Sequence, residues 1–395
     1  MTAHRWLVLL AILIPAGSAL AAPPQHTILV GYLGQSRDPP LPVGPLDEVP
    51  TDQGLAGARL GMADNNTTGQ FTGQRFELRE RVLPKGGDAA DAAKKMAGAG
   101  IRFIIADLDH DELLAAADAL KDTGALLLNS RAPDDDLRQE NCRAEVLHVL
   151  PSRAMLADGL AQYLVWKRWT RWLLVTGPTA GDHLYAAAVR RAAQRFGAEI
   201  VEEKPWTFRP GNGRSDTGHV VLQTEIPTFT RSPDYDVLIV ADEDDRFGAY
   251  LEGRTERPRP IAGTHGLVST AWSPVAELWG ATQLQNRFRR AAGRWMTAVD
   301  YAAWAAARSL GEAALRTESA DPATIAAYLR GPDFLLAAFK GKGLTFRPWN
   351  GQMRQPVLIV GPRLLVSVSP QAEFLHQGDD LDSLGFDREN SSCRF

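Results

Sequence analysis

The chain has 395 residues and a formal net charge of −4, from 43 Lys and Arg against 47 Asp and Glu. A slightly acidic balance gives no electrostatic footprint for a nucleic acid, which calls for clustered Lys and Arg. With 45% hydrophobic and 23% charged residues, the composition is that of a water-soluble globular chain long enough for two domains. Its 2 cysteines, Cys142 and Cys393, form no C-x-x-C and join no His cluster at zinc spacing.

The first segment carries one firm charge, Arg5, then the apolar run Trp6 to Ile14, then small residues ending in Ala19-Leu20-Ala21. This reads as a cleaved secretory signal peptide over residues 1–21, too short in its apolar part for the ~20 residues that span a bilayer. Export to the periplasm exposes Cys142 and Cys393 to oxidation, so a disulfide between them is predicted.

Short apolar runs then alternate with amphipathic stretches. Strands are expected at Ile28 to Leu33, Phe76 to Leu83, Ile101 to Ala106, Ala125 to Leu128, Trp172 to Thr176, Glu199 to Glu202, Val237 to Ala241 and Pro260 to Gly263. Helices are expected at Leu55 to Asn65, Asp88 to Ala97, Asp111 to Lys121, Met155 to Lys167, Leu184 to Phe196 and Ser215 to Thr224. Continuously apolar strands are covered on both faces, and strand-helix alternation means an α/β fold with doubly wound parallel sheets. The pattern restarts near Pro151, so two lobes are expected. Gln285 to Arg316 reads as one long helical region and Asp321 to Arg330 as another; Gly343 to Phe346 and Val357 to Val368 return to strand. These elements suggest several crossings between lobes: residues 22–147 with 275–342 as the first lobe, 148–274 with 343–370 as the second. Residues 371–395 form a polar, acidic tail expected on the surface, pinned by Cys393.

No G-x-x-x-x-G-K-[ST], H-E-x-x-H or G-x-S-x-G occurs, so no catalytic constellation is read and no catalytic cofactor is required. Asp107-Leu108-Asp109-His110-Asp111 imitates the start of a calcium loop, but Glu112 stands where the sixth-place glycine belongs, and no metal site is assigned. Trp166, Trp169 and Trp172 read as packing or surface features rather than as an aromatic binding platform. Ligands of open α/β sheets sit beyond the carboxyl ends of the strands. That rule selects Arg37, Ser130, Arg131, Thr179, Asp182, His183, Asp242, Glu243, Arg246, His265 and Trp272 as candidate ligand-binding residues, although Asp242 also suits a helix cap. Arg131, directly after a buried strand, is the strongest of these, and Trp272 is placed at the cleft edge because Ser269 to Ser273 reads as loop. Arginines with an aromatic ring suit a flat ligand bearing several carboxylates.

The segment Val299-Asp300-Tyr301-Ala302-Ala303-Trp304 and the string Phe346-Arg347-Pro348-Trp349-Asn350-Gly351-Gln352, with Arg354-Gln355-Pro356 after it, resemble the Leu/Ile/Val-binding-protein-like (type I) substrate-binding proteins of ABC transporters. Cys142-Arg143-Ala144-Glu145-Val146-Leu147-His148, Gly280 to Phe288, Phe339-Lys340-Gly341 and Phe374-Leu375-His376-Gln377 resemble a branch associated with PQQ-dependent alcohol dehydrogenase systems, PQQ being pyrroloquinoline quinone. The resemblance implies a hinged two-lobed periplasmic carrier that closes on its ligand and delivers it to an inner-membrane permease. The branch implies PQQ or a related product of alcohol oxidation as cargo and a link to the dehydrogenase system. An amino acid or aromatic acid as cargo, and a sensing module for a membrane receptor, remain open alternatives.

Overall fold

The computed structural model describes residues 26–39, 49–207 and 224–395; the expected signal peptide and nearly all of the expected helix at 215–224 lie outside these residues. Five parallel strands form the first sheet: β1 (His26–Gln35), β2 (Gln74–Leu83), β3 (Phe103–Asp107), β4 (Leu126–Asn129) and β5 (Val146–His148), in the order β2-β1-β3-β4-β5. Helices α1 (Leu55–Thr72), α2 (Ala89–Gly98) and α3 (His110–Leu120) alternate with the strands. Every residue of β3 is buried, as a strand covered on both faces must be.

After β5 the chain passes to the second lobe through α4 (Arg153–Trp166), β6 (Arg171–Thr176), α5 (Ala180–Phe196), β7 (Glu199–Pro205), β8 (Val237–Ala241), the single turn α6 (Gly248–Leu251), β9 (Ile261–Gly263) and β10 (Leu267–Thr270). It then returns to the first lobe, where the long helical region predicted from the sequence divides into α7 (Ala281–Ala292) and α8 (Ala298–Thr317), followed by α9 (Pro322–Arg330). The break follows from Gly293, at φ 74°, which ends α7, and from Thr297 and Asp300, which close a capping box at the start of α8. The helix α8 lies so close to α1 that a Cβ on Gly57 would stand 1.9 Å from the Asp300 carbonyl oxygen, and one on Gly61 2.6 Å from the Ala307 Cβ. Only glycine permits that approach.

A three-stranded antiparallel sheet follows, of β11 (Leu336–Ala337), β12 (Gly343–Phe346) and β13 (Met353–Arg354). Residues 343–354, expected in the second lobe, instead extend the first. Leu344, Phe346 and Met353 are buried in its core, and His148 N–H donates to the Gly351 carbonyl at 2.8 Å. The chain then crosses once more to β14 (Val357–Val360) and β15 (Leu365–Ser369), which join the second sheet antiparallel to give the order β15-β14-β10-β9-β8-β6-β7.

Cys142 and Cys393 are disulfide-bonded, with Cα atoms 5.7 Å apart. The tail is less superficial than its polar composition suggests. Leu381, Asp382, Ser383 and Leu384 are buried, and the Arg347 guanidinium donates to Asp382 at 2.8 Å and to the carbonyls of Leu381 and Leu384 at 2.9 and 2.7 Å. Of the tryptophans on and beside α4, Trp172 is buried and its indole N–H donates to the Trp169 carbonyl at 2.7 Å, while Trp166 is exposed and carries the Lys167 ammonium over its ring. Among the described residues no helix is long and apolar enough to cross a membrane.

Candidate functional site

The carboxyl ends of β1, β3 and β4 gather a closed polar network. Asp107, the last residue of β3, accepts from the Tyr32 hydroxyl at 2.5 Å and from the Arg131 guanidinium, which also donates to Gln53 Oε1 at 3.1 Å. Arg37 donates from Nε to both Asp109 oxygens at 3.0 Å and from Nη2 to the Asp107 carbonyl at 3.1 Å. Ser130 is fully buried, its hydroxyl donating to the Ala106 carbonyl at 3.1 Å. Burial opposes the Arg131 charge, but Asp107 outweighs it and holds the guanidinium above its ordinary pKa. Burial and the adjacent Asp107 both push the Tyr32 phenol upward. Arg37, Ser130 and Arg131 are thus each hydrogen-bonded to partners within the first lobe.

In the second lobe, Thr179 and Asp182 form the capping box of α5, and Asp182 also accepts from Glu243 N–H at 2.7 Å. Asp242, buried, accepts from the N–H groups of Arg246, Phe247 and Gly248 at 2.9, 2.7 and 2.7 Å, so its cap role organises the turn after β8. His183 is exposed on α5, and Arg246 turns to Asp244 at 2.9 Å. His265 lies between Thr264 Oγ1 at 3.0 Å and Asp245 Oδ1 at 2.8 Å. Asp242, Asp245 and His265 can each offer a ligand atom within 4.8 Å of the others, but the hydrogen bonds just described already engage them.

Trp272 does not stand at the cleft edge. It is 3% exposed, stacks on Tyr301 with centroids 4.7 Å apart and planes 6° from parallel, and donates its indole N–H to Gln285 Oε1 at 2.9 Å. The crossing from β10 to α7 is a loop in backbone conformation, yet it is threaded through the core, and loop character alone does not report exposure.

Between the lobes lies a cavity of about 650 Å³. The first lobe contributes Pro133, Ala298 and Val299; the second contributes Tyr185, Asp242, Glu243, Asp245, His265 and Ser269. A larger hollow, about 740 Å³, lies on the outside of the first lobe between β2 and α2 and takes no residue from the second lobe. Of the residues expected from sequence, Asp242, Glu243 and His265 reach the interlobe cavity; Arg37, Ser130, Arg131, Thr179, Asp182, His183, Arg246 and Trp272 are not part of its lining. Its wall is apolar on one side and acidic on the other, and no Lys or Arg lines it.

Glu243 is held by Arg153, which reaches it from Nε at 2.9 Å and from Nη2 at 2.7 Å while giving Nη1 to Asp134 of the first lobe at 2.6 Å. Burial pushes the Glu243 carboxyl above its ordinary range, and Arg153 draws it part of the way back. Tyr185 and Ser269, both buried, bring their hydroxyls close to one another and make no other side-chain hydrogen bond among the described residues. Such groups face a desolvation cost that a polar ligand relieves. Sequence reasoning missed Tyr185, although it sits in the second turn of the helix after β6, just past a strand end.

Residues 44–224 match the family model described as "Periplasmic binding protein". An ABC transporter substrate-binding protein from Sphaerobacter thermophilus superposes with a TM-score of 0.69 at 17% identity, covering 91% of this chain and 100% of that one. The fold is that of the type I periplasmic binding proteins. Two further structures agree. A leucine-, isoleucine-, valine-, threonine- and alanine-binding protein from Brucella ovis, in its closed conformation, has a TM-score of 0.66 at 15% identity over 92% of this chain and 94% of its own. A substrate-binding protein from Desulfitobacterium hafniense in complex with Leu has a TM-score of 0.65 at 18% identity, covering 87% and 100%. No curated protein matches the chain.

Proposed function

We propose that this is a periplasmic solute-binding protein of an ABC transporter that captures a small ammonium-bearing solute of the amino-acid type between its lobes and presents it to a membrane permease. The observation that carries the reading is the lining of the interlobe cavity: Asp242, Glu243 and Asp245 on one wall, small apolar residues on the other, and no Lys or Arg among the described residues that line it. An ammonium meets carboxylates there, and its apolar arm meets Pro133 and Val299. The structural neighbours named for Leu, Ile, Val, Thr and Ala support the same solute class. PQQ, with three carboxylates, meets a wall of its own sign, and Arg131, the arginine expected to receive it, is committed to Asp107.

Calorimetry of the purified protein against neutral amino acids, simple alkylamines, dicarboxylates and PQQ tests the reading. One solute per chain is expected from the first two groups. Tight binding of PQQ with none of the amines would overturn it and restore the link to alcohol oxidation. Co-purification with a permease or with a receptor kinase separates transport from sensing.

A further inference from the structure

The tail beyond β15 touches both lobes in succession. In the second lobe, Gly385 donates its N–H to the buried Asp158 of α4 at 2.8 Å, and its carbonyl accepts from Arg191 and Arg195 of α5 at 2.8 and 2.7 Å. The Arg191 guanidinium also lies over the Phe386 ring, 4.2 Å from its centroid. Asp382 pairs with Arg347 and Arg354 at 2.8 Å, both in or beside the small sheet that extends the first lobe. Beyond Gly385 the chain passes back to the loop after β4, where Ser392 N–H donates to Gln139 Oε1 at 2.6 Å and Cys393 is bonded to Cys142. Residues 386–391 lie between Gly385 on the second lobe and Ser392 on the β4 loop, and the Phe386 carbonyl among them accepts from Arg347 at 3.2 Å.

We infer that the tail is a strap, closed covalently by Cys142–Cys393, that limits how far the two lobes swing apart. A lobe rotation that carries α4 and α5 away from the β4 loop must lengthen residues 386–391 or pull Gly385 from Asp158. The first is bounded by the reach of the extended backbone. The second leaves the fully buried Asp158 carboxylate with fewer donors. Cleaving the disulfide frees the far end and leaves opening bounded by the weaker, non-covalent contacts of Asp382 and Phe386 with Arg347 and Arg354. The inference needs the lobes to move as hinged bodies, as the proposed function does, but it concerns the ligand-free protein.

The test measures the distribution of distances between fluorophores attached through a non-cysteine handle at exposed Lys94 of α2 and Ala187 of α5, in ligand-free protein. Two variants are compared with wild type: Cys142→Ser with Cys393→Ser, and a six-residue Gly/Ser insertion between Glu389 and Asn390 that keeps the disulfide. Both are expected to extend the distribution to longer distances, the insertion by no more than the roughly 20 Å that six residues span. The insertion variant decides the matter, since its disulfide protects it from unfolding. If it is folded and oxidised and keeps the wild-type distribution, the strap is overturned, whatever the serine variant does. Because no solute is present, failure to bind an amine sinks the proposed function and leaves this result standing.

Discussion

Both lobes gather charge beyond the carboxyl ends of their central strands, and they use it differently. In the first lobe Asp107, Arg131, Tyr32 and Arg37 neutralise and hydrogen-bond one another. In the second lobe, Asp242, Glu243 and Asp245 face a cavity whose other wall is apolar, beside the buried hydroxyls of Tyr185 and Ser269. Position relative to the strand ends is the same in both. What separates the two is where they face: the first-lobe cluster closes on itself, whereas the second-lobe carboxylates, although paired with Arg153, His265 and backbone N–H groups, line the interlobe cavity.

The comparison is broken most forcefully at Arg131. Arg131→Ala leaves the buried Asp107 short of its main partner, and chemical denaturation should show a loss of about 3 kcal/mol, since removing one member of a buried pair costs that much. Solute affinity measured by calorimetry should be unchanged in the folded fraction. Glu243→Gln should do the reverse: a charge-assisted contact contributes about 1.5 to 3 kcal/mol, so affinity for an ammonium-bearing solute falls roughly 10- to 100-fold. In wild type, acidification through the raised Glu243 pKa should weaken binding, because the carboxylate is the form that attracts the cation.

A smaller effect comes from His148. Burial and the nearby Arg138 hold its imidazole well below the usual 6.5, while the unfolded chain titrates near that value. Below 6.5 the unfolded state therefore binds a proton that the native state does not, and stability falls with falling pH at up to about 1.4 kcal/mol per pH unit. A His148→Gln variant should lack this component in melts recorded from pH 7 to 5. The mildest perturbation is Tyr185→Phe. It removes a buried hydroxyl whose neighbour is the Ser269 hydroxyl, so apo stability should change little, while affinity drops by the ~0.5 to 1.5 kcal/mol of one neutral hydrogen bond. An equal loss of affinity in Arg131→Ala and Glu243→Gln would erase the distinction between the two clusters.

The two-lobed α/β class was legible in the sequence because continuously apolar strands such as Val237–Ala241 are bounded by periodic helices, and β8 occupies those residues. The three-residue β5 and four-residue β10 escaped, being too short to show a period. The division between α7 and α8 was written in Thr297-x-x-Asp300, a capping signature that a run of alanines outweighed. At the site, the strand-end rule found Asp242, Glu243 and His265 but also drew in Thr179 and Asp182, which face their own helix start. Ser269 and Tyr185 were beyond reach, because burial of a hydroxyl against a cavity is a property of packing in three dimensions.

The first lobe is assembled from stretches far apart along the chain, and its β4 loop is tied to a cysteine 251 residues downstream. A ribosome or export channel delivers those pieces in sequence, so β1 to β5 emerge long before α8 and Cys393. Until then the Gly57 face of α1 lacks the helix it was shaped for, and Cys142 is a free thiol. Such an intermediate exposes apolar surface for as long as the rest of the chain takes to arrive. Pulse-labelling of nascent chains with a thiol reagent should find Cys142 reactive until the tail is released, which makes this protein a substrate for holding chaperones and oxidants at the end of its synthesis rather than at the beginning.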